Sequence, residues 1–130
     1  MKILGIGIDI IEIEKVEKLI KNKPRFIDRI FTENEKKYFE QKKFKPQTIA
    51  GNFCAKEAIS KALGSGVRNF NFKDIEIIRD ELGKPIVKTY NNLEVICIEY
   101  NVSDIFISIS HSDNYATANA MITIKEWYYG

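Results

Sequence analysis

Four residues of this sequence have side chains that could bind a metal ion and a phosphate group: Asp9, Glu57, Lys61 and His111. Asp9 ends an apolar segment, and a carboxylate in such a place needs a partner or a cation, because a bare buried charge is costly. Two carboxylates with room for water and substrate oxygens suit Mg²⁺, whose coordination shell is commonly completed by phosphates. Lys61 could offset the charge of those phosphates. These residue types therefore indicate a site for magnesium and phosphate.

Two of these residues also have a structural interpretation, which the residues alone leave open. Asp9 could cap the helix that follows it, because aspartate is a favoured N-cap residue. His111 is the only histidine of the chain, and a single histidine on a strand is more often structural than catalytic. Neither residue would indicate a site by itself.

A long helix carries two of the four residues, since apolar positions recur at helical spacing over residues 49–63. Glu57 and Lys61 are four residues apart, so they lie on one side of this helix, one turn from each other. Gly64 is expected to end the helix, because glycine favours the left-handed backbone that is common there. The amides of residues 64–66 could form a nest that binds an anion.

The segment that carries Asp9 is rich in isoleucine and predicts a buried strand over residues 2–10. Gly5 and Gly7 are unusual in this strand. Glycine weakens a strand unless it forms a bulge or another backbone lies close. We therefore expect one of these two features at the glycines.

Three shorter helices are predicted between this strand and the long helix. Apolar spacing predicts an amphipathic helix over residues 12–22 and a second, short helix near residues 26–31. Thr32 and Glu35 have the spacing of a capping box, which predicts the start of a third helix that runs to about residue 43.

After the long helix the apolar pattern changes to the alternation of strands. Residues 75–78 and 85–90 predict a hairpin, with a turn at residues 80–84. Asn91 could be the N-cap of a further helix, because apolar residues at helical spacing follow it.

Two alternating segments, residues 104–111 and 115–124, predict a final pair of antiparallel strands joined by a short turn. His111 ends the first of them. The sequence contains no repeat and no linker, so we expect residues 1–130 to form one α+β domain.

Composition excludes several classes of protein. The apolar and charged fractions, 45% and 29%, are those of a globular protein. The net charge of +2 is too small to indicate nucleic-acid binding. The chain has no apolar run of membrane-spanning length and no signal peptide, and Cys54 and Cys97 lie in apolar helical patterns typical of buried thiols. We therefore expect a cytoplasmic protein with no membrane partner.

Four short motifs occur together and in a familiar order. They are GIDIIEI at residues 7–13, FCAKEA at residues 53–58 with Lys61, Gly64 and Gly66 after it, GKP at residues 83–85, and SISH at residues 108–111. Together they resemble the holo-acyl-carrier-protein synthase family of 4′-phosphopantetheinyl transferases, over residues 1–124. The resemblance implies an antiparallel sheet packed against a long central helix.

The same resemblance implies an activity. Members of this family move the phosphopantetheine arm of coenzyme A to a serine of apo-acyl carrier protein and release 3′,5′-ADP. By this resemblance Asp9 and Glu57 would bind Mg²⁺ and, with Lys61, form the catalytic group. The residues expected to contact coenzyme A are Lys56, Lys61, Gly64, Ser65, Gly66, Pro85 and His111.

The resemblance also implies partners. An acidic carrier protein would dock on bases of the first helices, here Lys15, Lys21 and Arg25, and the chain would form a homotrimer with active sites at subunit interfaces. Lys15 and Asn52 stand where arginine is usual in the family, and lysine cannot reproduce the bidentate contact of a guanidinium group. The phosphate contact that an arginine would make in place of Asn52 could instead come from Lys43, Lys45 or Lys56.

Two alternatives compete with this interpretation. A strand ending in Gly-Ile-Asp with a helical glutamate also resembles magnesium-dependent nucleases of the RNase H-like fold. However, a helix follows Asp9 directly, and no third acid has a comparable setting. A binding module that has lost its chemistry is the other alternative, and the presence of both Asp9 and Glu57 argues against it, since a binder does not need such an acid pair.

Overall fold

A computed structural model of the chain describes residues 1–64 and 69–126. Its elements are β1 (Lys2–Glu12), α1 (Ile13–Asn22), α2 (Arg25–Ile30), α3 (Glu33–Gln41), α4 (Pro46–Leu63), a short 3₁₀ helix (Phe72–Asp74), β2 (Ile75–Arg79), β3 (Pro85–Thr89), α5 (Asn91–Glu99), β4 (Val102–His111) and β5 (Tyr115–Ile124).

The strands form two antiparallel sheets, one of three strands in the order β1-β5-β4 and one formed by the β2-β3 hairpin. Helix α4 lies across one face of the larger sheet and contacts all three of its strands. The expected α+β fold with a long central helix on an antiparallel sheet is therefore confirmed.

The core lies between α4 and the larger sheet. Ile49 and Ile59 of α4 are fully buried, and β5 directs Ala116, Ala118 and Ala120 toward the helix. Burying an isoleucine side chain stabilises a fold by roughly 1.5–3 kcal/mol. The small alanine side chains let the helix approach the sheet closely, so α4 and the strands hold a fixed relative position.

Gly5 and Gly7 explain how α4 comes so close to β1. A Cβ atom at Gly5 would collide with the backbone oxygen of Ala62, and one at Gly7 with the backbone oxygen of Ala58. A register shift in β1 also falls between Ile3 and Gly5. The expectation of a bulge or a close backbone at these glycines is therefore confirmed: both have the backbone of α4 close by, and Gly5 also borders the register shift.

Asp9 does not cap a helix, which corrects one of the two alternatives stated for it. β1 continues past Asp9 and keeps pairing with β5 as far as Glu12, which is opposite Tyr115. Helix α1 therefore begins later, with Glu12 at its N-cap. The side chain of Asp9 is left available for other partners.

The expectation for Asn91 was also wrong. The N-cap of α5 is Tyr90, and Asn91 is the first residue of the helix, with a positive φ of 52°. Its side-chain amide instead donates to Asp74 Oδ1 at 3.2 Å. The amide therefore bonds to the last residue of the 3₁₀ helix and does not cap α5. By contrast, the capping box of Thr32 and Glu35 is present at the start of α3.

The face of the larger sheet that points away from α4 is apolar and exposed. Alternate residues of β1 lie on it, and Ile6, Ile8 and Ile10 are 65–68% exposed. Phe106 of β4 and Tyr115 of β5 are also exposed large side chains. Isolated apolar side chains on a surface are ordinary, but a contiguous set across a sheet is typical of an interaction surface.

Over the described ranges, no helix has both the length and the apolar character needed to cross a membrane.

Candidate active site

Asp9 and Lys61 form the first part of the site, at the contact between β1 and α4. Lys61 Nζ donates to Asp9 Oδ1 at 3.0 Å and to the backbone oxygen of Ile8 at 3.0 Å. The side chain of Asp9 is 17% exposed and that of Lys61 is 53% exposed. The pair is therefore open to solvent on the side of the lysine, where a ligand can approach.

Glu57 completes the group, one helical turn before Lys61. Burial raises the pKa of Glu57, the negative charge of Asp9 raises it further, and Lys61 opposes the shift. The two carboxylates therefore lie close enough to repel each other. A cation between or beside them would relieve this repulsion and favour the ionised form of Glu57.

These residues suit a magnesium ion. The described part of the chain contains no group of three or more histidine, cysteine or acidic side chains that could hold a metal. Two carboxylates would leave most of a coordination shell to water and ligand oxygens, which is how Mg²⁺ is commonly bound beside phosphates. Zinc, which usually takes three or four protein ligands, fits this set poorly.

Cys54 lies beside the carboxylates but cannot act as a nucleophile. Its side chain is fully buried and donates to the backbone oxygen of Ala116 at 3.5 Å. Burial, with the charge of Asp9 second, raises the pKa of the Cys54 thiol to about 12. Both cysteines are free thiols, Cys54 buried and Cys97 half-buried.

The cytoplasmic location expected for the chain stays a prediction.

Lys56, which was expected to contact coenzyme A, lies on the other side of α4 and is fully buried. Four oxygen atoms lie 2.7–2.9 Å from its Nζ and share its three N–H donors: Glu35 Oε1 and the backbone oxygens of Ile30, Phe72 and Ile75. All its protons are used and none of its surface is accessible. This placement corrects the expectation, since the ammonium group cannot reach a ligand in this chain.

The remaining residues expected to contact coenzyme A, where the structure describes them, lie in different elements. Gly64 follows α4 with a φ of 99° and accounts for the end of the helix, whereas Ser65 and Gly66 lie outside the described residues. Pro85 begins β3. His111 ends β4 and is exposed, with Nδ1 3.3 Å from the backbone oxygen of Ser112.

The register of the larger sheet shows that His111 is not next to Asp9. Ala118 of β5 has Asp9 on one side and Ile109 on the other. His111 is two residues beyond Ile109, on the far side of β5 from β1. The structure brings Asp9, Glu57 and Lys61 together, whereas His111 lies on β4, which β5 separates from β1, and Pro85 belongs to the smaller sheet.

Comparison with known proteins decides the family. Residues 5–120 match the 4′-phosphopantetheinyl transferase superfamily. A holo-[acyl-carrier-protein] synthase of Clostridium botulinum is 55% identical over 124 residues, which cover 94% of this chain and 98% of the relative. This chain belongs to the holo-acyl-carrier-protein synthase family. The resemblance stated from its motifs is thereby confirmed.

Solved structures of family members have the same fold. The holo-[acyl-carrier-protein] synthase of Neisseria meningitidis superposes with a TM-score of 0.86 at 32% identity, covering 93% of this chain and 98% of the other. The Bacillus anthracis protein, solved in complex with CoA (3′,5′-ADP), gives 0.78 at 37% identity, with coverage of 96% and 100%.

The basic residues expected to dock a carrier protein differ in their settings. Lys15 is paired with Glu12 at 3.9 Å, whereas Lys21 and Arg25 have no acidic partner within 4.0 Å among the described residues. Arg25 lines a cavity of about 790 Å³ between the end of α1 and α2. The other lining residues are Leu19, Lys23, Pro24, Phe26 and Arg29.

That cavity contains residues that the motifs did not indicate. Its lining includes the apolar residues Leu19 and Phe26, and its ionisable residues are all basic: Lys23, Arg25 and Arg29. The spacing of Arg25 and Arg29, four residues apart on a helix, could have suggested that they share one face. We define these six lining residues as the basic cavity.

Asn52, which the resemblance placed at a position of arginine, lies inside the molecule. It is fully buried, and its Oδ1 accepts a hydrogen bond of 2.8 Å from Arg79 Nη2. Arg79 lies on β2, 27 residues away in the chain. No motif in the sequence indicated this pairing, because it depends on how the hairpin packs against α4.

Proposed function

We propose that this protein is a holo-acyl-carrier-protein synthase. It transfers the 4′-phosphopantetheine arm of coenzyme A to a serine hydroxyl of apo-acyl carrier protein and releases 3′,5′-ADP. The observation that carries this proposal is that Asp9, Glu57 and Lys61 lie together, with the lysine open to solvent. Solved members of the family include complexes with coenzyme A, which supports the proposed substrate.

We propose a role for each residue of the group. Asp9 and Glu57 would bind Mg²⁺, which would neutralise charge on the pyrophosphate of coenzyme A. The serine oxygen forms a bond to the phosphorus next to the pantetheine, and the P–O–P bond breaks to release 3′,5′-ADP. Lys61 is held by Asp9 and by the Ile8 carbonyl, with half of its side chain exposed. Its ammonium group is therefore positioned to bind phosphate oxygens, and it stabilises the charge that develops on the leaving group.

The test is the intact mass of apo-acyl carrier protein after incubation with this protein, coenzyme A and Mg²⁺, with and without EDTA. We expect a gain of about 340 Da, the mass of the transferred arm, and its loss with EDTA. No gain, with coenzyme A still bound, would favour a binding module. No gain and no binding of coenzyme A would reopen the nuclease alternative.

The carrier protein docks, in this proposal, on the basic cavity and the neighbouring bases of α1. Carrier proteins are acidic, and the lining of the basic cavity combines three cations with apolar side chains. Complementary charge of this kind steers association and fixes orientation. Lys15 contributes less than Lys21 or Arg25, because its charge is partly matched by Glu12.

Charge reversal tests this surface. The double variant Lys21→Glu/Arg25→Glu should raise KM for the carrier protein about tenfold or more, while KM for coenzyme A changes little. Lys88→Glu, an exposed lysine on β3, is the matched control for added negative charge. An equal rise in both KM values would count against docking on this surface.

We also propose that the exposed apolar face of the larger sheet is the interface of a homotrimer. The number of subunits rests on the family resemblance, and the face itself supplies the contiguous apolar surface that association needs. Ile8→Asp should convert the trimer to monomers in light-scattering measurements. Ile98→Asp is the control, since Ile98 is 70% exposed on α5 and lies off this face. A trimer that survives Ile8→Asp would exclude this interface.

A further inference from the structure

Lys56 belongs to the FCAKEA motif, but it takes no part in the group of Asp9, Glu57 and Lys61. Its ammonium group is fully buried on the other side of α4, and four oxygen atoms surround it. Burial of a lysine is costly, because it removes a charge from water. The segments that supply the four oxygens show what this ammonium group connects.

Lys56 joins α4 to four other elements of the chain. Glu35 belongs to α3, the Phe72 oxygen to the 3₁₀ helix, and the Ile75 oxygen to the start of β2. The Ile30 oxygen, 2.7 Å from Nζ, belongs to the last residue of α2. One side chain therefore contacts four elements at once.

Three of these elements are also held by other contacts. Helix α3 buries Phe39, and β2 pairs along its whole length with β3. Asp74 of the 3₁₀ helix accepts from the amide of Asn71 and from the side chain of Asn91. These three elements therefore do not depend on Lys56 alone.

Helix α2 has fewer contacts of its own. It is six residues long and contains no buried residue, and so short a helix is unstable without tertiary contacts. Phe26 packs against Phe53, with ring centroids 5.7 Å apart. Asp28 pairs with Lys36 of α3 at 2.9 Å, but the aspartate is 66% exposed, and exposed pairs contribute little. Among the described residues, the bond from Lys56 is the only one that joins the backbone of α2 to a distant part of the chain.

Lys56 holds the end of α2 in two ways. A cation at the C-terminus of a helix is attracted by the helix dipole and by the unpaired carbonyls there, and Ile30 supplies such a carbonyl. The ammonium group also lies 5.0 Å from the ring centroid of Phe31, the C-cap residue of α2, within the range of a cation–π interaction. Phe31 is fully buried and packs on Phe39. The end of α2 is therefore fixed relative to α4.

The helix that is held in this way carries part of the basic cavity. Arg25 and Arg29 both lie on α2, and both are exposed. Glu57 directly follows Lys56 in α4, and consecutive residues of a helix point about 100° apart. Two adjacent residues of α4 thus hold α2 on one side and the proposed metal site on the other.

We propose that Lys56 is a positioning residue for the carrier protein. It fixes α2, and with it Arg25 and Arg29, at a set distance from Glu57, so that a docked carrier protein presents its serine to the metal site. This inference rests on the proposed function, which supplies the carrier protein and its docking surface. Lys56 itself touches neither substrate.

The test compares two variants that break the same ion pair. Lys56→Met removes the donor to Ile30 and leaves Glu35 without its counter-charge. Glu35→Gln is the matched control, because it also breaks the pair but leaves Lys56 in place beside Ile30 and Phe31. Both variants should lose stability, since each leaves a buried charge without its partner.

Only Lys56→Met should impair docking. At a temperature where both variants remain folded, we expect its KM for the carrier protein to rise about two- to tenfold, the range for the loss of one hydrogen bond. KM for coenzyme A, kcat at saturating carrier protein and Kd for Mg²⁺ should stay those of the unsubstituted protein. An equal rise in the two variants would trace the effect to lost stability and overturn the proposal. A lower kcat or weaker Mg²⁺ binding in Lys56→Met would also overturn it, since Lys56 would then act through Glu57.

A double variant covers the case in which Lys56→Met does not fold. Lys56→Met/Glu35→Met removes both charges together, and apolar replacement of a buried ion pair is often tolerated. The double variant still lacks the donor to Ile30, so its KM for the carrier protein should rise as in the single variant. Normal docking by the double variant would leave Lys56 a purely structural role.

Hydrogen exchange separates this inference from the proposed function, because it needs no substrate. The amides of residues 29–31 should exchange faster in Lys56→Met than in Glu35→Gln or in the unsubstituted protein. Such a difference would support the role of Lys56 at α2 even if no transfer were detected. Equal exchange in the three proteins, with normal transfer by the unsubstituted one, would exclude that role and leave the proposed function intact.

Discussion

Helix α4 carries two lysine-carboxylate pairs that have opposite properties, although their lysines are only five residues apart. Lys56 Nζ lies 2.7 Å from Glu35 Oε1, and both side chains are fully buried. Lys61 Nζ lies 3.0 Å from Asp9 Oδ1, and the lysine is half exposed. We call the first the closed pair and the second the open pair.

The closed pair has no capacity left for a ligand. Three backbone oxygens and Glu35 Oε1 accept from Lys56, while Glu35 also accepts the amides of Thr32 and Ile77. A buried ion pair is tolerated only when such bonds satisfy it fully. The open pair has an exposed ammonium group and an additional carboxylate, Glu57. The comparison indicates that a ligand can bind where the fold leaves polar groups unpaired.

The pKa shifts of the two pairs show the same contrast. Burial raises the pKa of Glu35 and lowers that of Lys56, and the attraction between the two charges opposes both shifts. At Glu57 burial also raises the pKa, but the charge of Asp9 adds to the shift. In the closed pair one positive and one negative charge compensate each other. The open pair together with Glu57 has two negative charges and one positive charge, and a cation can relieve this excess.

The largest effect on stability is expected from Lys56→Met. This change removes the ammonium group and leaves the carboxylate of Glu35 buried without its partner, which typically costs about 3–5 kcal/mol of unfolding free energy. Urea unfolding measures the loss. Lys61→Met is the matched control on the same helix, and we expect at most about 1 kcal/mol from it, because its pair is exposed. Equal losses in the two variants would contradict the distinction between the pairs.

The largest effect on activity is expected from the open pair. Asp9→Asn keeps the shape of the side chain and removes its charge, so kcat/KM for transfer should fall about 10²- to 10³-fold, as when one electrostatic interaction with a transition state is removed. The melting temperature should stay close to that of the unsubstituted protein. Asp104→Asn, an exposed acid on β4, is the control and should leave transfer unchanged. Normal turnover by the Asp9 variant would remove the carboxylate from the mechanism.

The open pair could be predicted from the sequence because its signals are local. Glu57 and Lys61 are related by one helical turn, and Asp9 ends a recognisable apolar segment. Gly5 and Gly7 even indicated a close backbone, which proved to be that of α4. What the sequence did not exclude was the alternative role of Asp9 as an N-cap, since the end of β1 depends on pairing with β5, more than a hundred residues away.

The closed pair could not be predicted, because its partners are distant in the chain. Lys56 is next to Glu57 in the FCAKEA motif, and the motif gives no reason to assign them different roles. The difference depends on which side of α4 faces Glu35, Phe72 and Ile75, which are 16 to 21 residues away. The same is true of Arg79 and Asn52, whose contact spans 27 residues.

The smallest effect on stability is expected from Glu57→Gln in the absence of metal. This variant also gives the clearest contrast with the closed pair. The pKa of Glu57 in the folded protein is raised above its ordinary value of 4.5, so ionisation of this group favours the unfolded chain. Its contribution to stability is therefore fully present below 4.5 and is lost as the pH rises through the raised value. The glutamine variant, which cannot ionise, should thus be more stable than the unsubstituted protein near neutral pH, and no more stable in acid. Urea unfolding at the two pH values measures the difference.

Magnesium should reverse this order. Added Mg²⁺ should raise the melting temperature of the unsubstituted protein near neutral pH, since a ligand that binds only the folded state stabilises it, and the rise should be much smaller for Glu57→Gln. Glu35→Gln provides the comparison from the closed pair: it should lower stability with and without the metal, because it leaves Lys56 buried without its counter-charge. Equal responses of the two glutamine variants to Mg²⁺ would mean that the metal does not distinguish the pairs, and Glu57 would then lose its assignment as a ligand.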